Sequence, residues 1–522
     1  MSDAATAQSN ADAALARQTH LGPVIKTIYG SGALVDGMVS TAVNGFLFFY
    51  MTAVCGLSGS LAGSSLVAAL VIDSIADPLI GSLSDNTHTP YGRRHPWMLA
   101  AAFPLLISLG LLFSAPAMLK GWPLFAWLTL AAIGTRVSLS LFAVPHVALG
   151  AEISDDYAER SNIVAYRAIF SVIAGIAGPA LVYVVFMPTA GQLLHRAGYA
   201  PFGWVAAAIA FAGAIVSTLG TLSVVSRLHT IGKPAGQPVL RFFREMGEIF
   251  RNRSFLILFI GSLLYFISSG ITSTLGLHNA KFFWKFSNAT LQGLVIAGAI
   301  GSVAGIPLSA FLQRFIDKHR LLQITLAVTC AGSAIVPVLR LVNILPAGGP
   351  GLMIPIYILT TLNGAAQIFI GVAYYSMTAD AADEHELLYG ARREGLYFAG
   401  LGFSSKAASA LGAFISGVAL DAIGFPGDIA ARGANFHIPA RTIVELALVN
   451  GPGAAFIMVL PAILILLYRL DRATHARILE ALSARRKAAT GADATGANPS
   501  AGVEIANTVP KAVMAAGGGM TD

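Results

Sequence analysis

The chain has 522 residues, 55% hydrophobic and only 11% charged, with a net charge of +7 and a mean hydropathy of +0.70. A soluble domain carries roughly 25% charged residues, so one water-facing surface around one core is excluded and a bilayer must act as part of the solvent. The positive charge lies in short loops between apolar runs, which is the pattern of membrane topology and excludes a nucleic-acid partner from the reading.

The first twenty residues (MSDAATAQSNADAALARQTH) have no apolar core and are not expected to act as a signal peptide. A cytoplasmic tail is expected over residues 1–28. A helix needs about 20 apolar residues to cross the hydrocarbon. Twelve runs meet that need, at 30–54, 60–83, 97–118, 123–149, 163–187, 201–225, 254–277, 289–312, 321–343, 352–378, 394–420 and 444–468. The loops between them carry turn chemistry such as Gly-Trp-Pro and Phe-Pro-Gly. The expected fold is an all-α membrane protein of twelve transmembrane helices in two six-helix bundles. The bundles are expected at 29–225 and 254–468, with a linker at 226–253 and a largely disordered cytoplasmic tail at 469–522.

Loop charge sets the orientation. Arg93 and Arg94 follow the second run, a basic linker follows the sixth, Arg314, Lys318 and Arg320 follow the eighth, and Arg392 and Arg393 follow the tenth. The opposite loops hold little beyond Lys120, Arg196, Lys281 and Lys285. Lys and Arg collect on the cytoplasmic side, so both termini are expected there, in a bacterial-type inner membrane. The two cysteines, Cys55 and Cys330, sit in apolar surroundings and read as small buried hydrophobes, with no disulfide, zinc or redox motif.

Ionisable groups inside the apolar runs cost roughly 3 kcal/mol or more and mark candidate sites. Asp73 lies roughly 20 Å from the outer end of its helix at a 1.5 Å rise per residue. Asp77 follows one turn later on the same face. Pro78 has no N–H and displaces the carbonyl of Ser74, leaving a backbone oxygen beside the two carboxylates. Such oxygens suit Na⁺ or can share a proton. Lys406 and Arg136 fall at a similar depth, roughly 16–18 Å in. Asp36 is shallower, and Arg167 lies near the cytoplasmic surface. Buried Asp–Arg and Asp–Lys pairs also serve as plain interhelical ties, and Arg136 tied to Asp36 or Asp73 is the bland alternative. Two carboxylates one turn apart repel each other and serve poorly as such a tie.

The segment Asp73-Ser-Ile-Ala-Asp77-Pro78-Leu-Ile-Gly81, with Asp85-Asn86-Thr87 and Tyr91-Gly92-Arg93-Arg94-His95-Pro96-Trp97 after it, resembles the glycoside–pentoside–hexuronide:cation symporters. These are a branch of the major facilitator superfamily that includes the melibiose permeases. Three further stretches agree in order and spacing: Tyr29-Gly30-Ser31-Gly32-Ala33; Val144-Pro145-His146 through Glu152 and on to Tyr166-Arg167; and Asp380 through Glu384, then Gly390 to Leu396, with Phe403 and Lys406. The resemblance implies that Asp73 and Asp77 bind the coupling cation with Lys406 beside them. It implies that Arg167 serves sugar binding or gating, and that Gly81, Asp85, Arg93 and Arg94 lock helix ends in one transport state. Arg392, Arg393 and Glu394 look like the counterpart in the second half. Asp36, Arg136 and Arg167 are the expected solute-binding residues.

Three departures bear on the solute. Melibiose-type members carry a third acid two residues before the proline of the fourth helix and a tryptophan two residues after it; this chain has Ala143 and Val147. The helix 1 acid is displaced by one, to Asp36. A neutral galactoside therefore fits less well than a carboxylate-bearing glycoside, which Arg136 would pair with. The expected function is secondary active symport of a small organic solute, a glycoside or uronide, with Na⁺ or H⁺. The loss of an acid leans toward H⁺. No cofactor beyond that ion and no macromolecular partner are expected, and the chain is expected to act as a monomer. The alternatives are a lysophospholipid or other amphiphile symporter, which resembles the same family, and a transporter-like solute sensor. An enzyme is not expected, since the histidines show no metal-ligand or catalytic spacing and no Walker-A loop is present.

Overall fold

The computed structural model describes residues 21–154, 156–189, 191–227, 247, 249–346, 349–390, 393–432 and 436–495, and these are helical apart from turns and short connections. Among the described residues, eleven helices are long and apolar enough to cross a membrane. The remaining span, α1, is subdivided into Pro23–Ser31 and Ala33–Ser40 and then two π-helical stretches, Thr41–Leu47 and Tyr50–Val54. With α1 the expected count of twelve is reached, although its start at Pro23 takes residues 23–28 from the expected tail. The others are α2 Gly59–Asp85, α3 His95–Leu112, α4 Gly121–Glu152, α5 Tyr157–Ala180, α6 Tyr199–Gly220, α7 Arg253–His278, α8 Asn288–Leu312, α9 Lys318–Leu341, α10 Pro350–Tyr389 and α11 Glu394–Ala422. The last, α12, runs from Ala440–Leu448 through the π-helical Val449–Gly453 to Ala454–Leu464.

Side chains set several of the helix starts. Asp156 accepts from Glu159 N–H, Asn252 from Phe255 N–H and Ser287 from Thr290 N–H, each satisfying one orphan donor of α5, α7 or α8. At the far end of α10, Gly390 adopts φ 77°, a left-handed stop that costs glycine little.

In the first half α3 packs on α4 and α6, α2 on α4, and α1 on α5 and α6; in the second, α8 packs on α10, α7 on α11 and α12, and α9 on α10 and α12. The halves meet chiefly where α2 crosses α11 and α5 crosses α8. Hydrogen bonds join them at the end away from the basic loops. Thr52 Oγ1 and His278 Nε2 lie 2.9 Å apart, Asn288 donates to the carbonyls of Met187 and Thr189, and Asp421 binds the start of α2. That end is sealed.

Of the two expectations about the segments outside the bundles, one lies mostly outside the described residues and one is adjusted. Most of the linker, residues 228–246 and 248, lies outside the described residues. The tail expected to be largely disordered instead holds a helix, α13, over Arg472–Thr495. It docks because Ile478 and Leu482 bury against the second half, while Arg486 pairs with Glu386 at 2.9 Å and His475 approaches Asp383 at 3.1 Å. Asp471 caps its start, accepting Thr474 N–H at 2.8 Å, and hydrogen bonding from the Thr474 hydroxyl, then from its N–H, holds the carboxyl below its usual range. A depressed carboxylate stabilises above its unfolded pKa and loses that contribution as pH falls through the folded value. Protection of the first-turn amides of α13, taken relative to their intrinsic exchange rate at each pH, is therefore expected to fall as pH drops below about 4 in wild type. In Asp471→Asn that acid dependence should be absent.

Candidate functional site

α2 presents Asp73 and Asp77 on one face, one turn apart. α11 brings Lys406 from the other half. Its ammonium lies 2.8 Å from Asp73 Oδ2 and also pairs with Asp77 Oδ2. Ser140 of α4 donates to the second oxygen of Asp73 at 2.6 Å. Asp73 is almost fully buried, at 3% side-chain exposure, whereas Asp77 and Lys406 are about a third exposed, at 31% and 37%. An unpaired carboxylate at that burial would be expensive, and the lysine and the serine hydroxyl offset that cost. Two carboxylates and one ammonium leave one net negative charge, which matches one monovalent cation or one proton.

Beside this trio is a cavity of about 340 Å³ between the halves. Arg136 and Asn44 line it from the first half, and Ser273, Thr274, Ser405, Ser409 and Lys406 from the second. Arg136 Nη2 donates to Asn44 Oδ1 at 3.2 Å, and Asn44 in turn donates to Ser40 Oγ at 3.0 Å. Of the bland alternative, Arg136 tied to Asp36 or Asp73, no ion pair is formed among the described residues, although the charges of Asp73 and Asp77 act on the guanidinium through space. Among the described residues Arg136 has that one amide partner and no carboxylate at ion-pair distance. Phe48 is the only aromatic among the described residues that line the cavity, which agrees with the absence of a tryptophan near Pro145. A second cavity, about 320 Å³, lies inside the second half between α7, α8, α9, α10 and α12; no ionisable side chain among the described residues lines it.

The remaining expected residues fall into two places. Asp36 and Arg167 pair with each other across α1 and α5 at 3.3 Å, partly exposed and off the wall of the midplane cavity. Arg94 binds Asp85 at 2.5 Å and Glu152 at 2.7 Å, Arg93 binds Glu152 at 2.8 Å, and Arg94 also donates to Ser84. Together they staple the basic ends of α2 and α4. A Cβ at Gly81 would meet only Val144 at 3.7 Å, so sterics do not demand glycine there. Arg393 and Glu394 stand at the start of α11, and Arg392 lies outside the described residues. In the second half a comparable staple joins α9 to α10, Lys318 to Asp380 at 2.8 Å.

Sequence reasoning passed over Ser140, Asn44 and the hydroxyls of α7 and α11. All are uncharged polar residues within apolar runs, and Ser140 lies one turn from Ala143. A search for buried hydroxyls and amides, as well as charges, would have found them. Ser140→Ala removes a hydrogen bond to a buried carboxylate, worth about 1.5–3 kcal/mol. It is expected to weaken the coupling ion's half-saturation roughly 10- to 100-fold in uptake assays, with solute affinity at saturating ion little changed.

Two bundles of six helices around a midplane cavity with a cross-half ion trio define a secondary transporter of the major facilitator type, not an enzyme. Residues 28–472 match the family model described as MFS/sugar transport protein, and the chain belongs to that family. It is thus an integral membrane protein, and the resemblance drawn from α2 and its neighbours holds. Among its relatives, the uncharacterized symporter YnaJ of Bacillus subtilis (strain 168) is 26% identical over 471 residues, covering 89% of this chain and 95% of that one. The glucuronide carrier protein homolog of Escherichia coli (strain K12) is 23% identical over 386 residues, covering 73% and 79%. The crystal structure of the nucleoside transporter NupG superposes with a TM-score of 0.57 at 15% identity, covering 85% of this chain and 98% of that one. This last likeness speaks for the fold alone.

Proposed function

We propose that this protein is a cation-coupled symporter of a small carboxylate-bearing glycoside, such as a uronide, working by alternating access in a bacterial inner membrane with both termini cytoplasmic. The observation that carries the reading is the ammonium of Lys406 held between Asp73 and Asp77, across the two halves and at the edge of the solute cavity.

In this state the lysine occupies the position of a cation. A coupling ion, Na⁺ or H⁺, enters by displacing it from one carboxylate, where Asp73, Asp77 and Ser140 supply oxygens. The freed ammonium then adds its charge to that of Arg136 on the cavity wall. Two cations facing one cavity suit an anionic solute, which restores neutrality and lowers the cost of closing the site around both cargoes. Arg136 forms a planar fork matched to a carboxylate, and the hydroxyls of Ser273, Thr274, Ser405 and Ser409 face it as partners for a polyol. The glucuronide carrier homolog among the relatives supports the same solute class. Each chain contains a whole site, so a monomer suffices.

The test is uptake into proteoliposomes of a labelled panel (a hexuronide, neutral glycosides and a lysophospholipid) under imposed Na⁺ or H⁺ gradients. Hexuronide accumulation that follows one gradient supports the reading. Accumulation of the lysophospholipid alone replaces it with an amphiphile carrier, and binding without accumulation replaces it with a sensor.

A further inference from the structure

α2, the helix that carries both acids of the ion trio, begins without a cap of its own. Ser58 stands at the N-cap position and makes no side-chain bond. The carboxylate of Asp421, in the last turn of α11 and therefore in the other half, does this work instead. Its two oxygens accept Gly59 N–H at 2.6 Å and Ser60 N–H at 2.8 Å. A carboxylate there satisfies two of the orphan donors of the helix and is favoured by its dipole.

Next to this cap the helices meet backbone to backbone. A Cβ on Gly417 would fall 2.0 Å from the carbonyl oxygen of Gly59, and one on Gly63 would fall 2.9 Å from Phe414 Cα. Gly59 and Gly63 on α2, facing Ala413 and Gly417 on α11, form the small-residue spacing that lets membrane helices approach this closely. The same two helices are joined again by Lys406, Asp73 and Asp77, roughly 20 Å along at 1.5 Å per residue. One helix pair is therefore tied at two heights, once at the sealed end and once at the ion site.

We propose that Asp421 is the positioning residue that locks the sealed end of the transport path, by capping α2 across the two halves only when that end is closed. When the halves part there, the start of α2 loses its cap and Asp421 loses both donors. The lock thus sets the balance between the two open states and is linked through α2 and α11 to the ion site. It rests on alternating access as proposed above, but not on the identity of solute or ion.

The test uses the full chain with Cys55 and Cys330 replaced by alanine and spin labels on Met118→Cys and Ile344→Cys, exposed positions at the sealed end, one in each half. In Asp421→Asn the fraction at the longer distance is expected to rise roughly 5- to 30-fold, the range of a lost helix cap. Asp421→Glu is expected to restore most of the closed fraction. Gly417→Ala reaches the same opening by wedging the backbone contact without touching the charge, and it serves if Asp421→Asn fails to fold. For solute presented at that end, Asp421→Asn is expected to lower both KM and Vmax, since binding-competent molecules become commoner and closing becomes harder. A merely structural residue would lower yield and Vmax and leave KM alone. An unchanged distance distribution in both variants overturns the proposal, and opening in Gly417→Ala alone overturns the part given to Asp421. Because the distances need no solute, a failed uptake panel would sink the proposed function and leave this result standing.

Discussion

Asp73→Asn is expected to abolish gradient-driven accumulation, by about 100-fold or more, because breaking a buried ion pair costs about 3–5 kcal/mol and removes the charge that holds the coupling ion. Asp73 is the buried member of the trio, with Lys406 on one oxygen and Ser140 on the other. The amide keeps the shape but cannot balance the ammonium or a cation. Asp77→Asn should be milder, since its side chain is 31% exposed and water can replace part of what is lost. The companion variant is Lys406→Gln. If the lysine stands in the cation's place, removing it leaves two carboxylates for the ion alone. The ion's apparent affinity should then rise about tenfold while coupling to the solute fails. The measurement is ion-dependent uptake beside solute counterflow, which needs no gradient. Full concentrative uptake in both aspartate variants, or an unchanged ion affinity in Lys406→Gln, would remove the trio from the coupling mechanism.

Arg136→Gln is expected to raise KM for an anionic glycoside by about 30- to 1000-fold, with KM for its neutral analogue within about twofold. A charge-assisted pair that loses one partner costs about 2–4 kcal/mol at a desolvated site. Arg136→Lys should recover only part of the loss, because an ammonium supplies the charge without the fork. The structural basis is the guanidinium's single amide partner, Asn44, on the wall of a cavity between the halves. A plain ionic tie between helices would pair Arg136 directly with a carboxylate, whereas Asp73 and Asp77 act on it only through space and its direct partner is an amide. Asp36 is instead taken by Arg167. Equal effects on the anionic and neutral solutes in Arg136→Gln would turn the arginine back into a structural residue and reopen the choice of solute.

What the sequence determined by itself are properties that act over a few residues. Hydropathy is local, so twelve apolar runs were visible before any packing was known. Helical period is local, so Asp73 and Asp77 had to share a face, and Pro78 had to disturb the turn beside them. The motif around α2 and its loop carried the family for the same reason. The first run is the informative exception: its apolarity was plain, but its π-helical stretches were not, because hydropathy does not report the hydrogen-bond register. The tail misled in another way. Residues 472–495 carry a composition that would be solvated alone, and become a helix because the second half offers Ile478 and Leu482 a place to bury and offers Arg486 an acid.

Only the tertiary structure decided which charges meet. Lys406 is 333 residues from Asp73, and no local rule says whether it faces that carboxylate, Arg136 or lipid. The same holds for Asp36 with Arg167, for Arg136 with Asn44, and for Asp421 with the start of α2. Depth estimates placed Asp73, Arg136 and Lys406 in one layer, because the rise of a helix is fixed. They left the direction of each side chain open, because the rotation of a helix about its axis is set by how it packs on its neighbours and not by its own residues alone.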